Sequence, residues 1–458
     1  MVSLDKDYKS NRAETFRSLL LIYAALFVCK TILPANIEVI AGALSTDRTS
    51  IAWLMAIDLI ILTVCILFFG YFSERISKKI SIKKLFAITQ FGWVACYGLI
   101  ALSGNFMQYA VLDVIGAGFR GAYLPIAFAM VGDFYSPEER GAKFGWLNFG
   151  LILGSGGGLI FGNLLGGIEV IGWRLAYGVG FILAFLAVLG YARRGITPER
   201  GKHEPDLQGL DEIDYDYKIT LGNIKKLFQS KSVTSLIFSV LLTGVATTTL
   251  GIWAIDYFEN SQLTSFGGSA RLFAMLFYIM AGLGALPGNI QGGKIGDKHY
   301  KYGNLRGRVT ISLFGLGTGL ACMFCFYLIP LFGTEIGVMI LAAILILGLG
   351  FLGYWLVSFP VGNQFAIYSE VCVPEVRSTA NALHGVMVGL GGAIGNFFFA
   401  ITIIADEVTS IHVAILLLFW VAGAALWIIP FFTYPKEAEQ CREIMLERRG
   451  ELEKRRSN

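Results

Sequence analysis

Charged residues are scarce in this chain, and their scarcity decides which class of protein it can be. Only 15% of its 458 residues are Asp, Glu, Lys or Arg, whereas 55% are hydrophobic. Mean hydropathy is +0.63. A disordered chain needs more charge than this, and an ordinary globular protein holds a smaller apolar fraction. Lipid must therefore surround much of the chain.

Cysteine is also uncommon, and its placement excludes several kinds of site. The seven cysteines lie mostly inside apolar segments and are odd in number, so they indicate no disulfide framework. Cys322 and Cys325 form a CxxC that has no second pair and no nearby histidine. We therefore expect no metal and no cofactor. Neither a hydrolytic or redox constellation nor a nucleic-acid-binding pattern is present, so the chain is not expected to be an enzyme or to bind nucleic acid.

Long apolar segments are abundant. A bilayer core about 30 Å thick requires roughly 20 helical residues. The predicted fold class is an all-α membrane protein with twelve transmembrane helices. The first segment is too long for the core of a signal peptide and is expected to remain as a helix. The twelve segments are 17–43, 50–72, 84–103, 107–131, 143–167, 174–192, 233–256, 270–291, 309–330, 336–367, 379–404 and 411–433.

One long polar segment divides the twelve helices into two sets of six. It contains two prolines and an acidic run, as a linker between two units would. We predict four parts: an N-terminal half (1–192), a cytoplasmic central linker (193–232), a C-terminal half (233–434) and a charged cytoplasmic tail (435–458).

Lysine and arginine are unevenly distributed among the loops. The loops that share a side with both termini hold nearly all of the loop Lys and Arg. Orientation follows these residues, which favour the cytoplasm. Both termini are therefore expected to be cytoplasmic, in the cell membrane.

Two loop motifs recur in the two halves. The turn after the second segment contains Gly70, Glu74 and Arg75, and an equivalent turn begins at Gly293. After the fourth segment an acid precedes Pro-Glu-x-Arg, and the same pattern follows the tenth. The repetition predicts two pseudo-symmetric halves related by an axis along the membrane normal.

These motifs resemble those of the major facilitator superfamily. The resemblance implies transport by alternating access, with a cytoplasmic gate that holds the two halves together. Alternatively, the same charges only set topology at the headgroup surface. The gate residues implied by the resemblance are Gly70, Glu74, Arg75, Asp133, Arg140, Gly293, Asp297, Lys298, Glu370 and Arg377.

The first apolar segment is similar to the first helix of Spinster-type and organic-anion members of that superfamily. The stretch CKTILPANI places Lys30 in the basic position and Cys29 where an acid is expected. Glycine-rich stretches at 150–167 and 385–399 lack the Lys-Ser/Thr of a phosphate loop. We expect them to bring helices close together.

Charged residues inside the spans are candidate functional residues, because lipid disfavours them. An always-charged guanidinium suits a carboxylate or phosphate. The alternative is that these residues make buried ion pairs that fix helix packing, Lys30 with Asp58 for example. The candidates for substrate binding are Arg120, Lys30 and Tyr123, and those for proton coupling are Asp113, Asp58 and Glu38.

The expected function is secondary active transport. The substrate would be a small organic anion or an amphiphile with an anionic head, the coupling ion a proton, and the working unit a monomer in membrane lipid. Two alternatives stay open: a drug or lysolipid exporter of the same fold, and a membrane receptor or scaffold that does not transport.

Overall fold

The computed structural model describes residues 2–77, 79–166, 168, 172–198, 227–263, 270–330, 336–402 and 408–457. These residues form α-helices with one π-helical turn at Phe258–Gln262 and one 3₁₀ turn at Pro374–Val376, and no strand occurs among them. Most of the predicted linker lies outside the described residues.

Among the described residues of the first half there are eight helices. They are α1 (Val2–Ala35), α2 (Ile37–Ala43), α3 (Arg48–Ser77), α4 (Ile82–Ile100), α5 (Phe106–Arg120), α6 (Tyr123–Phe134), α7 (Pro137–Gly166) and α8 (Gly172–Arg194).

From Lys231 onwards the described residues form nine more. They are α9 (Lys231–Tyr257), α10 (Ala270–Gly282), α11 (Ala285–Lys301), α12 (Arg306–Leu328), α13 (Ile336–Val357), α14 (Phe359–Val371), α15 (Arg377–Thr402), α16 (Ser410–Ala425) and α17 (Ile428–Ser457).

Every one of the twelve predicted spans coincides with a helix or with two consecutive helices. Within the described residues, ten segments are long and apolar enough to cross a membrane. The other two predicted spans are α4, which opens with Lys83 and Lys84, and α15, which opens with Arg377. In α4 the two lysines lower the mean hydropathy without shortening the helix.

Five of the predicted spans are broken near their middle or end, which was not expected. The first of them restarts as α2, after Asn36. In the other four the new helix has a proline as its second or third residue: Pro125 in α6, Pro287 in α11, Pro360 in α14 and Pro430 in α17. Proline lacks an N–H and its ring clashes with the carbonyl four residues earlier, so it favours the first turn of a helix. The prolines therefore explain why these four spans restart.

The glycine-rich stretches bring helices together, as predicted. Gly154 and Gly158 of α7 lie directly against carbonyls of α1, and Gly391 and Gly395 of α15 lie against carbonyls of α9. A β-carbon at any of the four would collide with backbone. The two contacts occupy matching positions in the two halves, which supports the duplication.

The two halves meet most closely on one face of the bundle, which we call the termini face. It carries the connections at 79–81, 135–136, 302–305 and 372–376, on the side where α1 begins and α17 leaves. There α7 of the first half packs on α11 and α14 of the second, and α3 packs on α15. A β-carbon on Gly141 would lie 2.9 Å from the carbonyl oxygen of Gly293, so the two backbones touch.

The backbone contact between α7 and α11 generates a prediction. Gly293→Leu would force the two helices apart, at a cost typical of overpacking, about 1–3 kcal/mol. We expect amide hydrogen exchange in residues 137–145 to become roughly tenfold faster. Gly251→Leu is the matched control, because a β-carbon there meets no atom within 4 Å. Equal exchange in the two variants would show that this contact does not hold the halves together.

Candidate functional site

A buried cluster of charges lies inside the first half. Arg120, the last residue of α5, donates hydrogen bonds to Asp58 of α3 and to the hydroxyl of Tyr97 on α4. Its guanidinium also lies 4.0 Å from the carboxylate of Asp113. The charged side chains are almost fully buried; Arg120 is 4% exposed. One guanidinium thus joins three helices in the lipid-spanning part of the protein.

Seven residues separate Asp113 from Arg120, which places both on one face of α5 across two turns. Arg120 bonds to Asp58 of α3, and Asp113 lies close to the same guanidinium. The hydroxyls of Tyr109 and Tyr177 are 2.7 Å apart and hydrogen bonded. Tyr177 stacks on Tyr97, which accepts from Arg120, so a chain of tyrosines leads to the charge cluster.

The other predicted substrate and proton residues are distributed differently. Lys30 is half-buried, within electrostatic range of Asp58, Asp113 and Arg120, and its ammonium lies 5.9 Å from the ring of Phe27. The ion pair that the structure gives Asp58 is with Arg120, whereas the sequence suggested Lys30 as its partner. The side chain of Glu38 lies outside the described part of the structure.

Tyr123 is packed in an aromatic layer that crosses from one half to the other. It stacks on Tyr23, with centroids 4.5 Å apart, and donates to the carbonyl of Leu19. Phe128 contacts Phe365 of the second half at 4.5 Å. Along α5 and α6 this layer follows Arg120 and precedes the termini face, so it separates the charge cluster from that face.

On the termini face, side chains of the two halves bond directly. Arg377 of α15 donates to Asp133 of α6 at 2.8 Å, and both residues are buried. The hydroxyls of Ser378 and Thr379 donate to the carbonyl of Gly70 at 3.1 and 3.0 Å. Gly70 is needed there, because a β-carbon would collide with Ala382.

A second set of contacts joins α7 to the other half. Asp297 of α11 accepts from the backbone N–H groups of Gly141 and Ala142, at 2.9 and 2.7 Å. Arg308 of α12 donates to Asp297 at 2.7 Å and to the carbonyl of Pro137. A carboxylate close to a helix N-terminus is favoured by the helix dipole. The start of α7 is therefore bound by an ion pair of the opposite half.

The duplicated motifs have equivalent local geometry. Arg140 Nε donates to the carbonyl of Gly132 at 2.9 Å, and Arg377 Nε donates to the carbonyl of Ser369 at 3.0 Å. Each arginine thus reaches back eight residues to the end of the preceding helix. The Pro-Glu-x-Arg loops are closed by their own arginine.

The remaining predicted gate residues contribute less to these contacts. Arg75 is exposed and bonds to Tyr71 of its own helix at 2.7 Å. Lys298 is exposed as well. The side chain of Glu74 lies outside the described residues. Gly293 provides backbone contact, as described above.

Arg308 was not identified from the sequence, although it is fully buried at the centre of this junction. Besides Asp297 it contacts Glu370 of α14 at 3.0 Å. The sequence offered one indication of its role. Arg308 is a basic residue at the start of a predicted span, and the acid Asp297 lies in the predicted loop before it. That signal is shared by many residues that only set topology.

The C-terminal helix α17 extends the junction. Tyr434 donates to Glu370, and Arg448 makes two bonds with Glu375, at 3.1 and 2.8 Å. Glu437 accepts from the N–H of Lys231 at 2.7 Å. The tail is therefore packed against the termini face of the second half.

Comparison with known proteins identifies the family. The family model of the Major Facilitator Superfamily matches residues 19–396. The chain belongs to the Major Facilitator Superfamily. Its twelve-helix architecture with two pseudo-symmetric halves is thereby confirmed. Members of this superfamily are generally transporters and not enzymes.

Two relatives of this superfamily member match part of its sequence. It is 25% identical over 197 residues to the uncharacterized MFS-type transporter YfhI of Bacillus subtilis, covering 43% of this chain and 44% of that protein. It is 28% identical over 202 residues to the sphingosine-1-phosphate transporter SPNS2 of Xenopus tropicalis, covering 43% and 36%. The match spans less than half of either relative.

Solved structures of superfamily members resemble the whole fold. The transporter FucP in the outward conformation has a TM-score of 0.66 at 13% identity, over 92% of this chain and 98% of that one. A bacterial homologue of the lysosomal transporter Spinster, inward-facing, gives 0.57 at 14%, over 93% and 98%. Identities this low show the fold alone. The sequence match and the shared fold thus both include Spinster-type members of the superfamily.

Metal binding has no support in the part of the chain that the structure describes. No three His, Cys, Asp or Glu side chains are grouped there as metal ligands would be. The charge cluster of Asp58, Asp113 and Arg120 mixes acids with a cation and suits an ion pair.

The charge cluster generates a prediction on stability. Arg120→Gln would leave Asp58 and Asp113 buried without their cation, which typically costs about 3–5 kcal/mol. We expect a clear loss of thermal stability, partly restored in the double variant Asp58→Asn/Arg120→Gln, because one unpaired carboxylate is then removed. Thermal unfolding in detergent measures both. The control is Arg75→Gln, at an exposed residue, which should change the unfolding temperature little. An equally small change for Arg120→Gln would contradict the pairing of Arg120 with the two carboxylates.

The ion pair between Asp133 and Arg377, which joins the two halves on the termini face, generates a second prediction on stability. Arg377→Gln and Asp133→Asn should each lower the unfolding temperature, and the double variant should lose less than the sum, because the two residues interact. Arg449→Gln breaks the exposed pair with Glu453, 2.9 Å long, and should have little effect. Strict additivity of the two junction variants would exclude a direct interaction.

Proposed function

We propose that the chain is a secondary active transporter that carries a small organic anion, or an amphiphile with an anionic head, by alternating access coupled to protons. The observation that supports this most strongly is the guanidinium of Arg120 held between Asp58 and Asp113 in the lipid-spanning region. Charges there are costly and are usually functional. Lys30 adds a second positive charge in electrostatic range.

Proton coupling follows from competition for Arg120. While Asp58 is ionised, its carboxylate is paired with the guanidinium of Arg120. A substrate anion then cannot form the same ion pair. A proton on Asp58 removes the ion pair and frees Arg120 for a carboxylate or phosphate. Asp113, 4.0 Å away, is the second candidate carrier. Proton and anion then bind to the same state of the site, and each raises the affinity for the other.

Alternating access would use the termini face as its gate. The pair Asp133–Arg377 and the binding of Asp297 to the start of α7 hold the halves together there. Breaking these bonds lets the halves rock apart on that face and close on the other. In this proposal the bonded junction is one of the two discrete arrangements that a switching element requires. Charged residues that only set membrane topology would not need to pair between the two halves.

The substrate class has one competing assignment. A drug or lysolipid exporter of the same fold is favoured by the match to a relative named as a sphingosine-1-phosphate transporter. A lysolipid substrate would itself have an anionic head, which suits the guanidinium of Arg120. A receptor or scaffold that does not transport has less support. Both halves contribute residues to the contacts of the termini face, and a protein that does not move would have no use for a gate there.

Orientation and assembly follow the same proposal. Because its loops carry most of the loop Lys and Arg, the termini face and both termini are proposed to be cytoplasmic. The cell membrane is the proposed location and the monomer the working unit. The two halves, 1–192 and 233–434, would move as bodies joined by the linker at 193–232.

Transport in proteoliposomes tests this proposal. A panel of organic anions, lysolipids and cationic drugs is first screened by thermal shift, and the ligand found is used in uptake assays. Binding should strengthen as pH falls, since protonation of Asp58 frees Arg120. Arg120→Gln should abolish uptake. Asp58→Asn should keep binding and lose its pH dependence.

Three results would contradict the proposal. Full uptake by Arg120→Gln would remove the anion-binding role. Indifference to an imposed pH gradient would remove proton coupling. Selective stabilisation by cationic drugs alone would favour the drug exporter.

A further inference from the structure

A groove lies on the outer surface of the second half, between α9 and the pair α16–α17. Its volume is about 510 Å³, which falls within the roughly 300–1,000 Å³ of ordinary ligand sites. Most of its length is apolar and lined by Phe238, Leu242, Leu426 and Ile429. The helices on both sides belong to the same half, so the groove does not open into the junction between halves.

One end of the groove is polar and basic. Lys231 and Thr234 line it there. Lys231 is the first residue of its membrane span and is exposed, which places its ammonium at the level of lipid headgroups. From Lys231 to Leu242 the helix rises 11 residues, or about 16 Å, into the hydrocarbon region. The groove is thus basic at the surface and apolar inside.

The backbone at this end is already occupied by an acid. Glu437 accepts from the N–H groups of Lys231 and Ser232, and from the hydroxyl of Ser230 at 2.6 Å. Glu437 lines a neighbouring cavity and not this groove. An anion in the groove would therefore be held by the side chain of Lys231 and not by the helix N-terminus.

We propose that this groove binds an anionic phospholipid of the surrounding membrane. The phosphate contacts the ammonium of Lys231, and an acyl chain lies along Phe238, Leu242 and Leu426. Charge complementarity at the headgroup level and the apolar interior together select a lipid over a free anion. Basic pockets between transmembrane helices are known to suit such headgroups. This site is independent of the proposed transport function.

A second groove provides a natural comparison. It lies on the other side of α16, against α12, with a volume of about 340 Å³. Its lining contains no charged residue and includes Leu320, Ala321 and Phe324. It can accept an acyl chain but offers nothing to a headgroup, so it should not distinguish anionic from zwitterionic lipids.

Native mass spectrometry of the full chain tests the proposal. Purified protein is titrated with phosphatidylglycerol and, separately, with phosphatidylcholine of the same acyl chains. The wild type should retain phosphatidylglycerol in preference. Lys231→Gln should reduce that preference about fivefold, the effect expected for one basic residue at the membrane surface. Leu242→Trp, which fills the groove, should remove binding of both lipids at this site.

The control is Ala321→Trp, which fills the second groove and should leave the preference intact. Preference unchanged in both Lys231→Gln and Leu242→Trp would overturn the proposal. So would a dimer of the wild type that Leu242→Trp dissociates, since a second copy would then cover the groove. Displacement of phosphatidylglycerol by an equal concentration of inorganic phosphate would also overturn it, because the headgroup alone would then account for the affinity.

Discussion

A charge inside a membrane protein must have a partner, and this requirement organises the molecule at two levels. Removing the partner of a buried ion leaves a penalty of several kcal/mol. Near the middle of the first half, Arg120 satisfies Asp58 and lies close to Asp113. At the termini face the partners come from opposite halves, as in Asp133 with Arg377. Pairing within a half fixes helix packing, whereas pairing between halves fixes the conformation of the whole protein.

Helix α3 connects the two levels. It contributes Asp58 to the charge cluster, and twelve residues later, about 18 Å along the helix, it contributes the carbonyl of Gly70 to α15. We propose that a change of protonation at Asp58 alters one of the two attachments of this helix and, because α3 is continuous between them, affects the second attachment as well. In the proposed coupling, α3 alone connects the charge cluster to the gate on the termini face.

The sequence was sufficient for the architecture and for part of the site. Hydropathy located all twelve spans, and the repeated motifs at Gly70 and Gly293 identified the faces that meet. Pairing was harder, because it depends on how each helix is rotated. Lys30 was suggested as a partner of Asp58 only because the two lie on adjacent helices, and Arg308 was missed because nothing local separates it from bases that only set topology. The helix breaks were not predicted either, although Pro125, Pro287, Pro360 and Pro430 mark four of them.

The central claim is that the Asp58–Arg120 pair and the junction on the termini face are coupled. Spin labels on Ile80 and Tyr302 report the distance between halves on the termini face, and labels on Leu102 and Ile411 report it on the opposite face; all four residues are exposed. Pulsed electron paramagnetic resonance on both label pairs compares the wild type with Asp58→Asn. The account predicts that the first distance lengthens while the second shortens. No change in either distance, or a change of both in the same direction, would contradict it.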